Sequence, residues 1–227
     1  MGTLEECASA NSSIKNLSNK DLIHAHRSFF SQFVSESLEM FKGEEFVDVR
    51  RRFERVCHYN GHDRELYPGF TMMCAYKVFE KSDKLTSENL RDMSMLAWCF
   101  ESLATSAILT DDIMDNEGFR WKNPCWFRQP NVGMTALTDF SLLRASGFYM
   151  MKKYFGGHPC YQTLFYLMNK MIEGMVVGQT IDINVEKAFK NSRKINLLKM
   201  EDYINACRYK CYVPYSILCT CRNAPVR

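Results

Sequence analysis

Three carboxylates crowd one short stretch of the chain, Thr110-Asp-Asp-Ile-Met-Asp115. At about 3.6 residues per turn, Asp111 and Asp115 share one face of a helix, one turn apart, with Asp112 beside them. The stretch follows the strongly apolar run Met95–Leu109 and precedes Asn116-Glu117-Gly118, where Gly118 is the expected helix stop. The acids thus occupy the helix end that the macrodipole makes negative, where charges of the opposite sign are favoured by roughly 0.3–1 kcal/mol each. Repulsion at i and i+4 adds a few tenths of a kcal/mol. Such a site wants a cation. Hard divalent ions prefer carboxylate oxygens, and Mg²⁺ typically binds through one or two carboxylates plus the phosphates of a substrate. For these residues alone, a solvated acidic helix end is the competing reading. Further along, Gln179 and Asp182 lie at i and i+3 in Gly178-Gln-Thr-Ile-Asp182, and cations stand at Arg120 and Lys210.

The elements that must position these side chains are helical. Only 11 glycines and 6 prolines punctuate 227 residues, and no stretch alternates apolar and polar residues long enough for a strand-rich fold. Helices are predicted over 21–42, 70–80, 87–115, 135–154, 160–184 and 200–219, with breaks at Gly61, Pro68–Gly69, Gly118, Pro124, Gly156–Gly157 and near Asn191–Arg193. Phe46, Val49, Phe53 and Val56 make a further apolar stripe, leaving Arg50, Arg51, Arg52 and Arg55 as a predicted solvated face. A composition of 46% apolar and 24% charged residues suits one helical domain, with a core drawn from 14 methionines and 16 phenylalanines. We expect a flexible segment over 1–20, a single domain over 21–219 and a divergent tail over 220–227.

The same composition narrows the partners. With 29 basic against 26 acidic residues, the formal charge of +3 makes nucleic acid a poor candidate. Charged residues are expected to interrupt every apolar stretch before the roughly 18 residues of a membrane span. The start, Met-Gly-Thr-Leu-Glu-Glu-Cys, lacks the basic and apolar regions of a secretory signal, so the expectation is a soluble, cytoplasmic protein. Ten cysteines spread from Cys7 to Cys221 read as reduced core thiols, and the spacing of Cys207, Cys211, Cys219 and Cys221, with no histidine nearby, does not suggest zinc.

From about Phe29 to Tyr215, the order and spacing of these segments resemble the farnesyl diphosphate synthase branch of the isoprenyl diphosphate synthase family. Asp111-Asp-Ile-Met-Asp115 is similar to that family's first aspartate-rich motif, and Pro124-Cys-Trp-Phe127 to the segment just after it. The resemblance implies an all-α, isoprenoid synthase-type helical bundle, usually a homodimer, that ionises an allylic prenyl diphosphate with Mg²⁺. It implies Asp111, Asp112 and Asp115 as metal ligands and Arg120 and Lys210 as diphosphate contacts. Lys210 joins Asp111, Asp115, Gln179 and Asp182 in the implied catalytic set, with Gln179 and Asp182 facing the cation. Ser106 and Ala107 stand at the fifth and fourth positions before Asp111, where farnesyl-forming members commonly carry aromatic residues. Their small side chains imply a deeper substrate cavity; close helix packing is the other reading.

The family's second substrate, isopentenyl diphosphate, finds less of its basic cradle. The Gly-Gly-Lys-x-x-Arg stretch should fall in Tyr59–Phe70, but its lysine position is Glu65, or Asp63 in the shifted register, and its arginine position is Pro68. Trp121 replaces the second arginine after the aspartate motif, with Lys122 following, and Ala104 replaces a glutamine seven residues before Asp111. An acid where a lysine should meet a diphosphate turns attraction into repulsion. This pattern resembles the insect-type terpene synthases derived from the same family. The leading expectation is therefore a terpene synthase acting on geranyl or farnesyl diphosphate alone; a chain-elongating farnesyl or geranylgeranyl diphosphate synthase is the alternative, and an inactive truncated subunit the third. The family's second aspartate-rich motif should lie beyond Tyr215, so a bundle incomplete at its C-terminus is expected.

Overall fold

A computed structural model describes residues 14–61, 67–192 and 199–220, and helices dominate them. Helix α1 (Asn19–Ser28) opens on a capping box: the Ser18 hydroxyl accepts the Asp21 N–H at 3.2 Å, and the Asp21 carboxylate accepts the Ser18 N–H at 2.9 Å. The chain breaks at Phe29 before α2 (Phe30–Ser37) and a 3₁₀ turn over Leu38–Met40, so the helix predicted over 21–42 is divided. Then come α3 (Val47–Gly61), α4 (Tyr67–Phe79) and α5 (Ser87–Met114). A two-residue hairpin, β1 (Phe119–Arg120) against β2 (Asn123–Pro124), follows α5. The remaining helices are α6 (Ala136–Phe155), α7 (Tyr161–Ser192), α8 (Met200–Cys207) and α9 (Val213–Thr220).

Helix α5 is the axis of the fold. Thr86 caps it, its hydroxyl accepting the Asn89 N–H at 3.2 Å. One stretch of α5 is long and apolar enough to cross a membrane by length and composition, although Glu101 interrupts it as expected, and 78% of it is buried inside the fold. Its apolarity builds the core instead. Even Glu101 is buried, accepting the Gly69 N–H at 2.7 Å. Small residues let α6 lie close: Ser102 Oγ donates to Leu143 O at 2.6 Å, and a Cβ on Gly147 would come within 2.8 Å of Cys99 O. Helices α4 and α7 also pack on α5, around a core that includes Phe53, Met72, Met95, Phe100 and Met150.

Several expectations change once the chain is folded. The residue that turns the chain after α5 is Asn116 (φ 54), not Gly118, and the Glu117 N–H returns to Asp112 O at 2.9 Å as the Asn116 N–H does to Ile113 O at 3.3 Å. The arginines of α3 do more than meet water. Arg50 donates to the Phe41 and Gly43 carbonyls, both at 2.7 Å, Arg52 pairs with buried Asp139, and Arg55 stacks 5.2 Å from the Trp126 ring. Arg51, beside Asp48, keeps to the surface, and Arg55 is exposed as well. The cysteines are less uniformly internal than expected: Cys57, Cys99 and Cys125 are buried, whereas Cys211 and Cys219 are exposed. Of the segment expected to be flexible, residues 1–13 lie outside the described residues, while Ile14 is buried in a 3₁₀ turn. In the expected tail, residues 221–227 also lie outside them.

Candidate active site

The last turns of α5, the middle of α7 and the α8–α9 junction meet around a cavity of about 490 Å³. Its walls are largely apolar, including Ala104, Ala107, Ile108, Met171 and Met175, and it reaches the polar pair Asp111 and Lys210. The volume lies within the roughly 300–1,000 Å³ usual for small-molecule sites.

Lys210 is positioned by two local irregularities. A π-helical turn over Arg208–Tyr212 separates α8 from α9, where a single helix is predicted. Pro214 accounts for its place: proline has no N–H for the Lys210 carbonyl one turn earlier, and its ring crowds that carbonyl, so the ladder widens there. Opposite, Gly178 has no side chain, and a Cβ there would stand 2.2 Å from the Lys210 backbone nitrogen. Gly174, one turn earlier, likewise admits Val213 and Tyr209. The approach lets Lys210 Nζ donate to Asp111 Oδ1 at 2.9 Å and Asp182 Oδ2 at 2.8 Å, bridging α5 and α7. Burial pulls the lysine pKa down, but the two carboxylates outweigh it and hold the pKa above its ordinary value.

The three aspartates of α5 separate by role. Asp111 turns to the cavity and meets Lys210 and, at 3.4 Å, Arg120. Asp112 turns inward, its side chain 2% exposed, and accepts from Arg120 Nε at 2.8 Å and also from Arg120 Nη2. Burial raises the Asp112 pKa despite the Arg120 guanidinium and the Cys125 thiol, which is itself pushed up to about 11 by burial and by Asp112. Asp115 caps the helix end and is exposed. Partial burial raises its pKa, and the negative charges of Asp111, Asp182 and Glu186 raise it further against the pull of Lys210.

The hairpin places Arg120 and Trp121. Its turn residues Trp121 (φ 46) and Lys122 (φ 72) are both left-handed, the backbone that a tight two-residue hairpin requires but that bulky residues seldom adopt. Trp121 thereby lines the cavity. Gln179 also lines it, and its amide Oε1 and Nε2 are buried without a hydrogen-bond partner among the described residues. Ala107 lies on the wall as expected, but Ser106 does not: it is fully buried and donates to Leu103 O at 2.7 Å, which places it in helix packing. Asp63, Arg64 and Glu65 lie outside the described residues, while Ala104 and Trp121 both face the cavity.

The oxygens of Asp111, Asp115 and Asp182 are the hard donors that Mg²⁺ takes, and after burial the negative charge of Asp111, Asp182 and Glu186 helps to raise the Asp115 pKa. Among the described residues no three His, Cys, Asp or Glu side chains form a ready-made metal cage. Two carboxylates completed by substrate phosphates meet the need of Mg²⁺, so the donor set fits that ion in the presence of a diphosphate.

Missed by sequence reasoning are Gly174 and Gly178 as contact points, Arg144 on the cavity wall and Asp139 beneath the loop that follows the hairpin. Two glycines one turn apart inside a long helix were the available signal for the first pair; a lone Arg144 or Asp139 offers none.

Comparison with known proteins agrees with this architecture. A family model for polyprenyl synthetases matches residues 53–225. Farnesyl pyrophosphate synthase 2 of Lupinus albus is 36% identical over 154 residues, 68% of this chain and 45% of the relative. The bifunctional chrysanthemol synthase of Tanacetum cinerariifolium is 32% identical over 170 residues, 74% of this chain and 43% of the relative. The T. brucei farnesyl diphosphate synthase superposes with a TM-score of 0.72 at 20% identity, covering 89% of this chain and 62% of the other. The chain spans about half the length of the curated relatives it matches. With a single family model extending from α3 past α9, this chain belongs to the polyprenyl synthetase family.

Proposed function

We propose that the cavity binds an allylic prenyl diphosphate and that the protein joins its prenyl group to isopentenyl diphosphate, as a prenyltransferase of isoprenoid biosynthesis. The observation that carries this reading is the Lys210 bridge between Asp111 and Asp182 beside a largely apolar cavity. Such a site suits a ligand with an anionic head and a hydrocarbon tail. Two of the three Nζ donors of Lys210 go to Asp111 and Asp182, and a diphosphate oxygen would take the third. Arg120, already beside Asp111 and Asp112, supplies a guanidinium with the planar donor set that suits phosphate oxygens. Magnesium held by Asp111 and Asp115 together with the diphosphate would neutralise charge on the leaving group. The buried Gln179 carbonyl oxygen can face positive charge as it develops on the allylic carbon.

The relatives that are farnesyl pyrophosphate synthases support transfer to a second substrate over the terpene synthase expected from the eroded basic contacts. Arg144 weighs the same way, since a guanidinium on the cavity wall opposes migration of positive charge into the tail, which cyclisation requires. Pairing of two copies belongs to the same proposal, and sedimentation velocity checks it. The test of function is an incubation with Mg²⁺ and geranyl diphosphate, with and without isopentenyl diphosphate. Elongated diphosphate formed only when both substrates are present is expected, and its loss on chelation would support the metal. Hydrocarbon or alcohol released from geranyl diphosphate alone would reverse the assignment in favour of a terpene synthase.

A further inference from the structure

Arg144 is a polar group of the cavity wall to which the proposed chemistry gives no bonding partner. Thr110 and Thr180 satisfy their hydroxyls by donating to Ser106 O and Val176 O, both at 2.8 Å. Asp111 and Lys210 pair with each other, and Gln179 has a role beside the developing cation. Arg144 Nε, by contrast, is buried with no hydrogen-bond partner among the described residues, and no carboxylate among them pairs with the guanidinium. Among the described residues its ring contact is Phe140, with Cζ 5.6 Å from the centroid. Partial burial lowers its pKa, with no carboxylate among the described residues to offset it.

The position of Arg144 along the cavity can be read from the helices. Leu143 O accepts from Ser102 Oγ, so Arg144 lies near the level of Ser102 on α5, nine residues before Asp111. At about 1.5 Å per residue that is roughly 13 Å along the helix. The side chain leans one turn back, over Phe140, and because α5 and α6 run antiparallel this brings the guanidinium to roughly 8 Å from the level of Asp111. A diphosphate at Lys210 would therefore send an extended geranyl chain to end in the neighbourhood of the Arg144 guanidinium.

We propose that Arg144 recognises a hydrogen-bond acceptor at the far end of the bound chain. The cavity would then select a prenyl diphosphate whose terminal isoprene unit carries an oxygen over the plain hydrocarbon. A buried donor left without an acceptor disfavours the complex, and an acceptor on the ligand removes that penalty. The inference rests on the prenyl diphosphate reading of the cavity, and the experiment separates the two.

The ligands are geranyl thiolodiphosphate, an unreactive analogue with sulfur in the bridging position, and its 8-hydroxy derivative. Each is titrated calorimetrically with Mg²⁺ into the full chain and into Arg144→Met and Arg144→Lys. The wild-type protein should bind the hydroxy compound about 10-fold more tightly, as expected for one hydrogen bond to a charged donor. Arg144→Met should abolish that ratio or reverse it, and Arg144→Lys should keep part of it. The readout is a ratio within each protein, so a general loss of stability does not imitate the result; should Arg144→Met not fold, the wild-type and lysine ratios decide. Equal wild-type affinities, or a preference unchanged in Arg144→Met, would overturn the role of Arg144 while leaving the cavity's substrate class standing. Failure of the wild-type protein to bind either analogue would overturn both.

Discussion

Two clusters of opposite charge lie within reach of the same hairpin, and they are built to different ends. Beneath the loop that follows the hairpin, Asp139 is fully buried, with each oxygen occupied. Arg52 donates from Nε at 2.6 Å and from Nη2 at 2.7 Å, and Trp126 Nε1 donates at 2.7 Å. Thr135 takes a further bond from Arg52. Charge and donors balance, and the geometry is the forked pairing that arginine makes best with a carboxylate. At the end of α5 the account does not close. Asp111, Asp182 and Glu186 all act on Asp115, Lys210 pairs with Asp111 and Asp182, and Asp115 is left exposed with a raised pKa. The contrast separates a cluster whose charges are matched within the fold from one whose charges are not.

Breaking the open cluster should therefore cost activity and spare the fold. If the proposed function holds, Asp111→Ala is expected to lower product formation by at least about 10²-fold, through loss of a carboxylate proposed to act with a metal and Lys210 on the leaving diphosphate. A thermal midpoint within a few degrees of wild type should accompany that loss, since Asp111 sits at a helix end beside a cavity. A rate close to wild type would place the chemistry elsewhere.

Breaking the closed cluster should do the reverse. Asp139→Ala leaves Arg52 and Trp126 Nε1 without their partner, and we expect a loss of about 2–4 kcal/mol, below the full cost of opening a buried pair because Arg52 is partly in water. Urea unfolding measures it, and a loss under about 1 kcal/mol would show that the network adds little.

Between these lies the contact that joins Lys210 to α7. Gly178→Ala would drive a methyl against the Lys210 backbone, forcing the π turn outward at about 1–3 kcal/mol. The same change should weaken diphosphate binding, because it moves the ammonium away from Asp111. Unaltered stability and binding together would mean that the π turn shifts freely.

The smallest effect is a gain. Asp115 has a folded-state pKa raised by burial and by Asp111, Asp182 and Glu186, so folding disfavours its ionised form. Stability from this group is fully present below its unfolded pKa and is lost as pH rises through the folded value. Asp115→Asn should therefore stabilise the metal-free protein near neutral pH, by no more than a few tenths of a kcal/mol once solvent screening of this exposed carboxylate is allowed for. That gain should vanish at about pH 3, where the wild-type carboxyl is protonated as well. Thermal scans at the two pH values check the sign, and a gain that persists in acid would point to a cause other than charge.

Much of this architecture was legible from local pattern. The apolar run ending at three acids located α5 and its polar end, and the spacing of Gln179 and Asp182 put both on one turn of α7. The hairpin was not legible, because Trp121 and Lys122 are poor advertisements for a left-handed turn. Nor was the π turn, whose cause, Pro214, reads in one dimension only as a helix break.

What the sequence determined by itself is periodicity, and with it helical class and the acidic helix end, because a helix orders side chains around its own axis. Tertiary structure alone decided how each helix is rotated against its neighbours. That rotation gives Asp111 to the cavity and Asp112 to Arg120, and it withdraws Ser106 into the packing while leaving Ala107 on the wall. It also brings Lys210 to Asp111 across 99 residues of chain and turns Arg144 toward the cavity. Contacts between helices depend on which small residues let two backbones approach, and that is settled only when all the helices pack together.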